Sequence, residues 1–211
     1  MEVHAPHHPL NTWRDFLIHI VTITIGLLIA LGLEAAVEAL HHRHERLETR
    51  ENLKAEIEED QKQLPRNLNS LEGERRELLG NIALLRQLRA HQPVAPGAKL
   101  DFSWDWSSMP DAAWKTARET GMLALFSSDA VQGYSGLYGQ QTLVNEAGIA
   151  LTRGITDSQI PLRIEPDVNA LPPGLIDELI RSCAANLNQI DYTESLAANL
   201  GSYYKEALEK L

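Results

Sequence analysis

The sequence predicts an all-α protein: one N-terminal transmembrane helix continuing into a long juxtamembrane helix, a helical-bundle extramembrane domain and a long C-terminal helix. Three observations carry this expectation. Residues Phe16 to Leu33 contain no Lys, Arg, Asp or Glu and only one histidine, and at 1.5 Å per residue such a run reaches about 27 Å, near the ~30 Å hydrocarbon core of a bilayer. Ile57, Leu64, Leu71, Leu78 and Leu85 recur every seven residues. Ile176, Cys183, Ile190, Ala197, Tyr204 and Leu211 do the same, so two long helical arms each carry an apolar edge.

The chain then divides in order. Residues 1–12, rich in Pro and His, form an irregular tail; 13–40 hold the span and membrane exit; 41–91 form the first arm. Residues 92–109 make a linker with an extended aromatic strip, 110–172 short helices and loop, and 173–211 the C-terminal long helix. The apolar run is longer than the roughly 7–15 residues of a signal peptide core and lacks a basic segment before it, which argues for a retained anchor. Asn11 or Thr12 can cap the span, Asp15 suits its positive end, and Trp13 sits where an interfacial aromatic belongs.

Beyond the membrane exit, helix formers continue without Gly or Pro until Pro65, which is expected to kink or divide the arm. Leu53, Leu68, Ile82 and Leu88 supplement the seven-residue series. Gln61, Arg75 and Arg89 stand where a fully apolar second seam would lie, so this edge is expected to pack on the protein's own helices. His91 to Ala98 ends the arm with Pro93, Pro96 and Gly97. Leu100, Phe102, Trp104 and Trp106 then alternate with polar residues, a period of two that predicts an extended strip lying in a groove between helices.

A short helix is expected to start at Pro110 and Asp111, with Ser108 as its capping candidate, and to end at Gly121; another is expected to begin after Ser127 or Ser128 and to run to Gly154. The second contains several glycines, each costing up to about 1 kcal/mol of helix propensity relative to Ala. Close packing has to offset that cost, with Tyr134, Tyr138, Leu143 and Leu151 as core contacts. Ile155 to Pro172 reads as loop. From Pro173 the second arm carries Ile180, Leu187 and Leu208 beside its main series and is expected to run antiparallel to the first.

Composition bounds function. With 29 acidic against 19 basic side chains, net charge -10, the surface is unsuited to neutralising phosphates, and no nucleic-acid partner is expected. Cys183 is the single cysteine, which excludes an intrachain disulfide and a thiolate metal cage; its helical setting suits a small core residue. No phosphate loop, nucleophile elbow or HExxH occurs, and GLYGQQ lacks the strand-to-helix setting that would give its glycines meaning. No catalytic residue and no cofactor is assigned, and the chain is read as a non-enzyme.

Three groups remain as candidates. Thr22, Gly26 and Ala30 recur every four residues along the span and let another helix approach closely, in a membrane complex or a homo-oligomer. His19 lies inside the span, where a neutral imidazole can ligate a haem or pigment metal or hydrogen-bond to a partner. Glu38 and His41 form one Glu-x-x-His, half of what a di-metal bundle needs; Glu34 and Glu45 lie one turn away.

The block WRDFLIHIVTITIGLLIALGLEAAVE, followed by HHRHERLETRENLKAEI and AAWKTARETGMLALF, resembles an uncharacterised bacterial family of single-span membrane proteins with a GLLIAL-type span and a helical extramembrane domain. The resemblance implies the fold and a bacterial inner membrane; it transfers no functional residue. Arg14 stands before the span against Arg43, Arg46, Arg50 and Lys54 after it, so the C-terminal domain is expected in the cytoplasm, with a periplasmic bundle as the alternative. The expected function is a structural or accessory subunit packed against membrane partners, for example in a respiratory or photosynthetic assembly. A membrane-anchored sensor or regulator is the second reading and histidine-based metal or pigment binding the third.

Overall fold

The computed structural model describes residues 13–209. The irregular tail, the capping candidates Asn11 and Thr12, and Leu211 at the end of the second series lie outside the described residues. Every regular element among those described is helical, so the fold is all-α. By its internal contacts the chain forms two compact units, Met1–Glu48 and Thr49–Leu211.

Helix α1, Trp13–Arg89, begins in the first unit and ends in the second. Within the first unit residues 13–44 are all exposed. An 18-residue window of this helix has mean hydropathy 2.5 with none of it buried, so α1 is by length and composition able to cross a membrane. Pro65 does not divide α1 as the sequence suggested. It sits on the exposed side, as does Gln61, and the carbonyl deprived of its hydrogen bond can be solvated.

The second unit packs the later part of α1 with three further helices, α3 (Ser128–Ser158), α5 (Pro173–Ala197) and α6 (Leu200–Glu209). Two linked apolar clusters give their directions. Leu53, Ile57 and Leu64 pack with Tyr134, Leu137, Tyr138, Leu200 and Tyr204, while Leu71, Leu78 and Leu85 pack with Leu151, Ile155, Ile176 and Cys183. Helices α1 and α3 therefore run parallel, and α5 with α6 runs antiparallel to both. Arg75 fixes that pairing, reaching Asp191 at 2.7 Å and Glu194 at 2.6 Å, and Arg89 pairs with Asp177 at 3.0 Å. The two arms thus pair antiparallel, as the sequence predicts.

Several expectations are corrected. The helix expected to begin after Ser127 or Ser128 and to run to Gly154 forms as α3, but at 31 residues it is a full member of the bundle rather than one of several short helices, and it continues through Ile155 to Ser158, where loop was expected. The short α4, Ile160–Ile164, and a 3-10 turn, Val168–Ala170, follow where loop was expected. The second arm is interrupted at Ala198 and Asn199, yet Ala197 and Tyr204 stay buried, so its seven-residue series holds across the break. Leu143 is 45% exposed and is no core contact.

Between α1 and α3 lies the strip predicted from its alternation. Leu100, Phe102, Trp104 and Trp106 are half-buried, and Asp101, Ser103 and Asp105 between them are exposed. The turn before it uses positive φ at His91 and Gly97, 54° and 77°. After the strip comes α2, Ala112–Glu119, closed by Gly121 at φ 76°, a left-handed conformation that a Cβ would strain.

Candidate functional site

The residues singled out in the span all lie along α1, with Thr22, Gly26 and Ala30 one turn apart on one face. Thr22 Oγ1 donates to the Ile18 carbonyl at 2.8 Å, so its hydroxyl is satisfied within the helix. A Cβ at Gly26 would meet nothing within 4 Å, and Thr22, Gly26, Ala30 and His19 are all exposed. His41 Nε2 lies 3.1 Å from Glu45 Oε1, one turn on, rather than being drawn to Glu38. Among the described residues no group of three or more His, Cys, Asp or Glu is arranged to hold a metal ion.

The notable chemistry of the second unit lies in its core. Alongside the apolar row Ile57, Leu64, Leu71, Leu78 and Leu85, α1 buries a second row three residues on: Asp60, Asn67, Glu74 and Asn81. Two of these serve the strip. Asn81 Nδ2 donates to the Asp101 carbonyl at 2.6 Å and Oδ1 accepts from the Asp101 N–H at 2.9 Å. Asn67 does the same with Ser107, at 2.8 Å and 3.3 Å. Glu77 receives the Ser103 N–H at 2.7 Å and its hydroxyl as well, Ser70 donates to the Asp105 carbonyl, and Trp104 Nε1 donates to Thr152 on α3 at 2.6 Å.

Asp60 and Glu74 have no such partners. All four of their carboxylate oxygens are buried without a hydrogen bond. Burial raises Asp60 to about 7, with Glu56, Asp111 and Glu59 adding to the effect and the nearby Gln141 amide opposing it. Burial, with Glu77 adding, takes Glu74 to about 7. A buried carboxyl avoids the cost of an unpaired charge by holding its proton. The Cys183 thiol is raised to about 11, first by burial and then by the charge of Glu74. The thiol is therefore protonated and unreactive, as its place in the core suggests.

Next to Asp60, Glu56 joins three helices. It accepts the Ala113 N–H at 2.8 Å and the Trp114 N–H at 3.4 Å, and the Tyr138 hydroxyl donates to it at 2.8 Å. Glu56, and not the expected Ser108, thus caps α2, since Asp111 at the N-cap makes no side-chain capping bond and its carboxylate instead pairs with Lys115 at 2.9 Å. Trp114 stacks on Tyr138 with centroids 5.3 Å apart and planes 4° apart. Tyr204 donates to Gln141 at 2.8 Å, and Gln141 donates to the Met109 and Pro110 carbonyls. Burial raises both phenols, Tyr138 and Tyr204. Trp114 and Tyr138 of this network, together with Arg118, Ser135 and Thr142, line a cleft of about 480 Å³.

Sequence reasoning missed the second row on both arms. On α5 and α6 the corresponding row is Leu179, Asn186, Thr193, Leu200 and Ala207, and Asn186 donates to Ser158 at 2.9 Å. A spacing of three from each member of the seven-residue series was the available signal; polar residue types masked it on α1, and on α5 the half-buried Ile180 and Leu187, four residues on from the series, were read in its place.

Fold and site together define an all-α protein with one helix long and apolar enough to cross a membrane and a helical bundle, formed by the later part of α1 with α3, α5 and α6, that carries a polar seam. No protein-family model, curated protein or solved structure matches the chain.

Proposed function

We propose that the chain is a non-enzymatic, membrane-anchored structural or accessory subunit. Its single span, Phe16 to Leu33, packs against other membrane proteins, and the bundle is presented on the cytoplasmic side of a bacterial inner membrane. One observation carries this reading: the apolar stretch is exposed along its whole length, and an uncovered apolar surface of that extent is stable only in lipid or against a partner. Arg43, Arg46, Arg50 and Lys54 against Arg14 support the orientation. A respiratory or photosynthetic assembly is the kind of complex that uses such a subunit.

The test is carbonate extraction of membranes, followed by mild-detergent purification and identification of what co-purifies. Retention in the pellet with stoichiometric companions is expected. A chain released by carbonate, or a solitary one, overturns the proposal.

A second reading, a membrane-anchored sensor or regulator, is favoured by the unpartnered carboxyls Asp60 and Glu74, which leave the bundle's packing dependent on its surroundings. Ligand- or pH-dependent change in protease sensitivity of the second unit distinguishes it. Histidine-based metal or pigment binding draws no support from the positions of His19, Glu38 and His41.

A further inference from the structure

Past the apolar run, where charged side chains begin at Glu34, α1 still exposes three large aliphatic side chains: Val37 at 67%, Leu40 at 66% and Leu47 at 43%. All three fall on one seam. Counting in alternate steps of four and three, that seam reads Phe16, His19, Ile23, Gly26, Ala30, Leu33, Val37, Leu40, His44 and Leu47. Continued, it would reach Glu51, Lys54, Glu58 and Gln61, so the apolar character stops at Leu47, within the first compact unit.

The seam is a heptad pattern. With Leu33, Leu40 and Leu47 at d and Val37 at a, it has the β-branched a and Leu d preference of parallel two-stranded coiled coils. The same seam collects the only histidine of the apolar run and two of the three small residues that permit close approach, Gly26 and Ala30. We infer that residues 16–47 form a parallel homodimer with a second copy of this chain, joined along this seam through the membrane and just beyond it. The inference rests on the reading of Phe16 to Leu33 as a span and names the first partner of that span.

Three features select a second copy. Copies inserted with the same topology can only pair parallel, and a parallel seam sets each residue against its own counterpart. Arg43 then occupies g and Glu48 the e position of the following heptad, so each Arg43 faces the other copy's Glu48 twice over by symmetry. Neither side chain forms an ion pair within its own chain among the described residues. His19 would otherwise present a polar ring to hydrocarbon; facing its counterpart, one imidazole donates and the other accepts. His44 at a single a position fixes the register, as polar a residues do.

Single cysteines placed in the full-length protein in native membranes test this. Val37→Cys, Leu40→Cys and Leu47→Cys lie on the seam; Ala35→Cys, Ala39→Cys and His42→Cys lie off it, and the unaltered chain with buried Cys183 gives the background. Oxidation is expected to give a covalent dimer severalfold more abundant at the seam positions. Arg43→Glu and Glu48→Arg should each lower the Leu47→Cys yield severalfold, and the two together should restore it. Equal yields at all six positions, cross-linking only to a protein of another mass, absence of cross-links, or failure of the double reversal to restore the yield each overturn the dimer. Carbonate extraction of the same samples keeps the two readings apart: release of the chain removes the span and the membrane dimer with it, whereas a retained chain without seam-specific cross-links keeps the span and removes the dimer.

Discussion

Asn81 and Asp101 share two hydrogen bonds, amide to carbonyl at 2.6 Å and N–H to amide oxygen at 2.9 Å, so a helix side chain completes the backbone pairing of an extended strand. Asn67 and Ser107 repeat the arrangement. Fourteen residues along a helix rise about 21 Å, and six residues of extended chain cover about 20 Å. Two heptads of α1 therefore keep step with six residues of the strip, and an asparagine at each end fastens it without a second strand. Asn67→Ala and Asn81→Ala should each cost about 1–2 kcal/mol, the worth of the paired hydrogen bonds that each buried amide makes. At that separation the costs should add. Thermal unfolding of the two singles and the double measures this, and a double variant as stable as either single contradicts it.

The glycines of α3 are not equivalent. A Cβ at Gly148 would fall inside the Trp106 indole, and one at Gly154 on the Asn186 carboxamide, whereas one at Gly139 meets nothing within 4 Å. Gly148→Ala should therefore destabilise by about 1–3 kcal/mol through overpacking, while Gly139→Ala should stabilise by about 0.5–1 kcal/mol through helix propensity. Paired denaturant titrations decide: the two substitutions must have opposite signs.

Much of this architecture was legible because apolar periodicity reports burial directly. Leu71, Leu78 and Leu85 announced one face of α1, Ile176, Cys183 and Ile190 one face of α5, and the Leu100 to Trp106 alternation announced a strip in a groove. What the pattern hid was buried and polar. Asn67, Asn81 and Asn186 sit in the core because backbone or hydroxyl groups there need partners, and that need comes from residues far along the chain. The cap of α2 was misplaced for the same reason: Glu56, more than fifty residues upstream, does what a local Ser108 was expected to do. At Gly148 the close packing anticipated for the glycines was real, but only the fold could name Trp106 as the neighbour.

Asp60 and Glu74 make stability depend on pH in a definite direction. Their ordinary values, 3.8 and 4.5, rise to about 7 in the folded chain, so between about 4 and 7 the folded state holds protons that the unfolded state has released. Stability from these groups is full below the unfolded values and falls as pH rises through 7. The fall is at most about 4 kcal/mol for each group, since a tenfold change in a group's proton affinity on folding is worth about 1.4 kcal/mol. Asp60→Asn and Glu74→Gln should flatten the decline and raise the melting temperature at pH 8. Melting curves of the single and double variants from pH 4 to 8 provide the check, and an unchanged slope in the double variant would show that other groups govern it.

Glu56 offers the sharpest test of how the second unit is assembled, because one carboxylate serves α1, α2 and α3 together. Removing it in Glu56→Ala leaves the Ala113 and Trp114 N–H groups and the Tyr138 hydroxyl without their acceptor. The loss of a cap and of a hydrogen bond to a charged group should cost ~2–3 kcal/mol. The damage should also be local: with α2 unfastened, the Trp114–Tyr138 stack loosens and the region from 108 to 127 becomes the first site of protease cleavage. Glu56→Gln retains one carbonyl acceptor for the α2 N–H groups and should fall between Glu56→Ala and the parent. Tyr138→Phe removes only the phenol contact and should leave cleavage in 108–127 near the parental rate. If Glu56→Ala is cleaved no faster there, or Tyr138→Phe is cleaved as fast as Glu56→Ala, capping of α2 by Glu56 is not what holds this region in place.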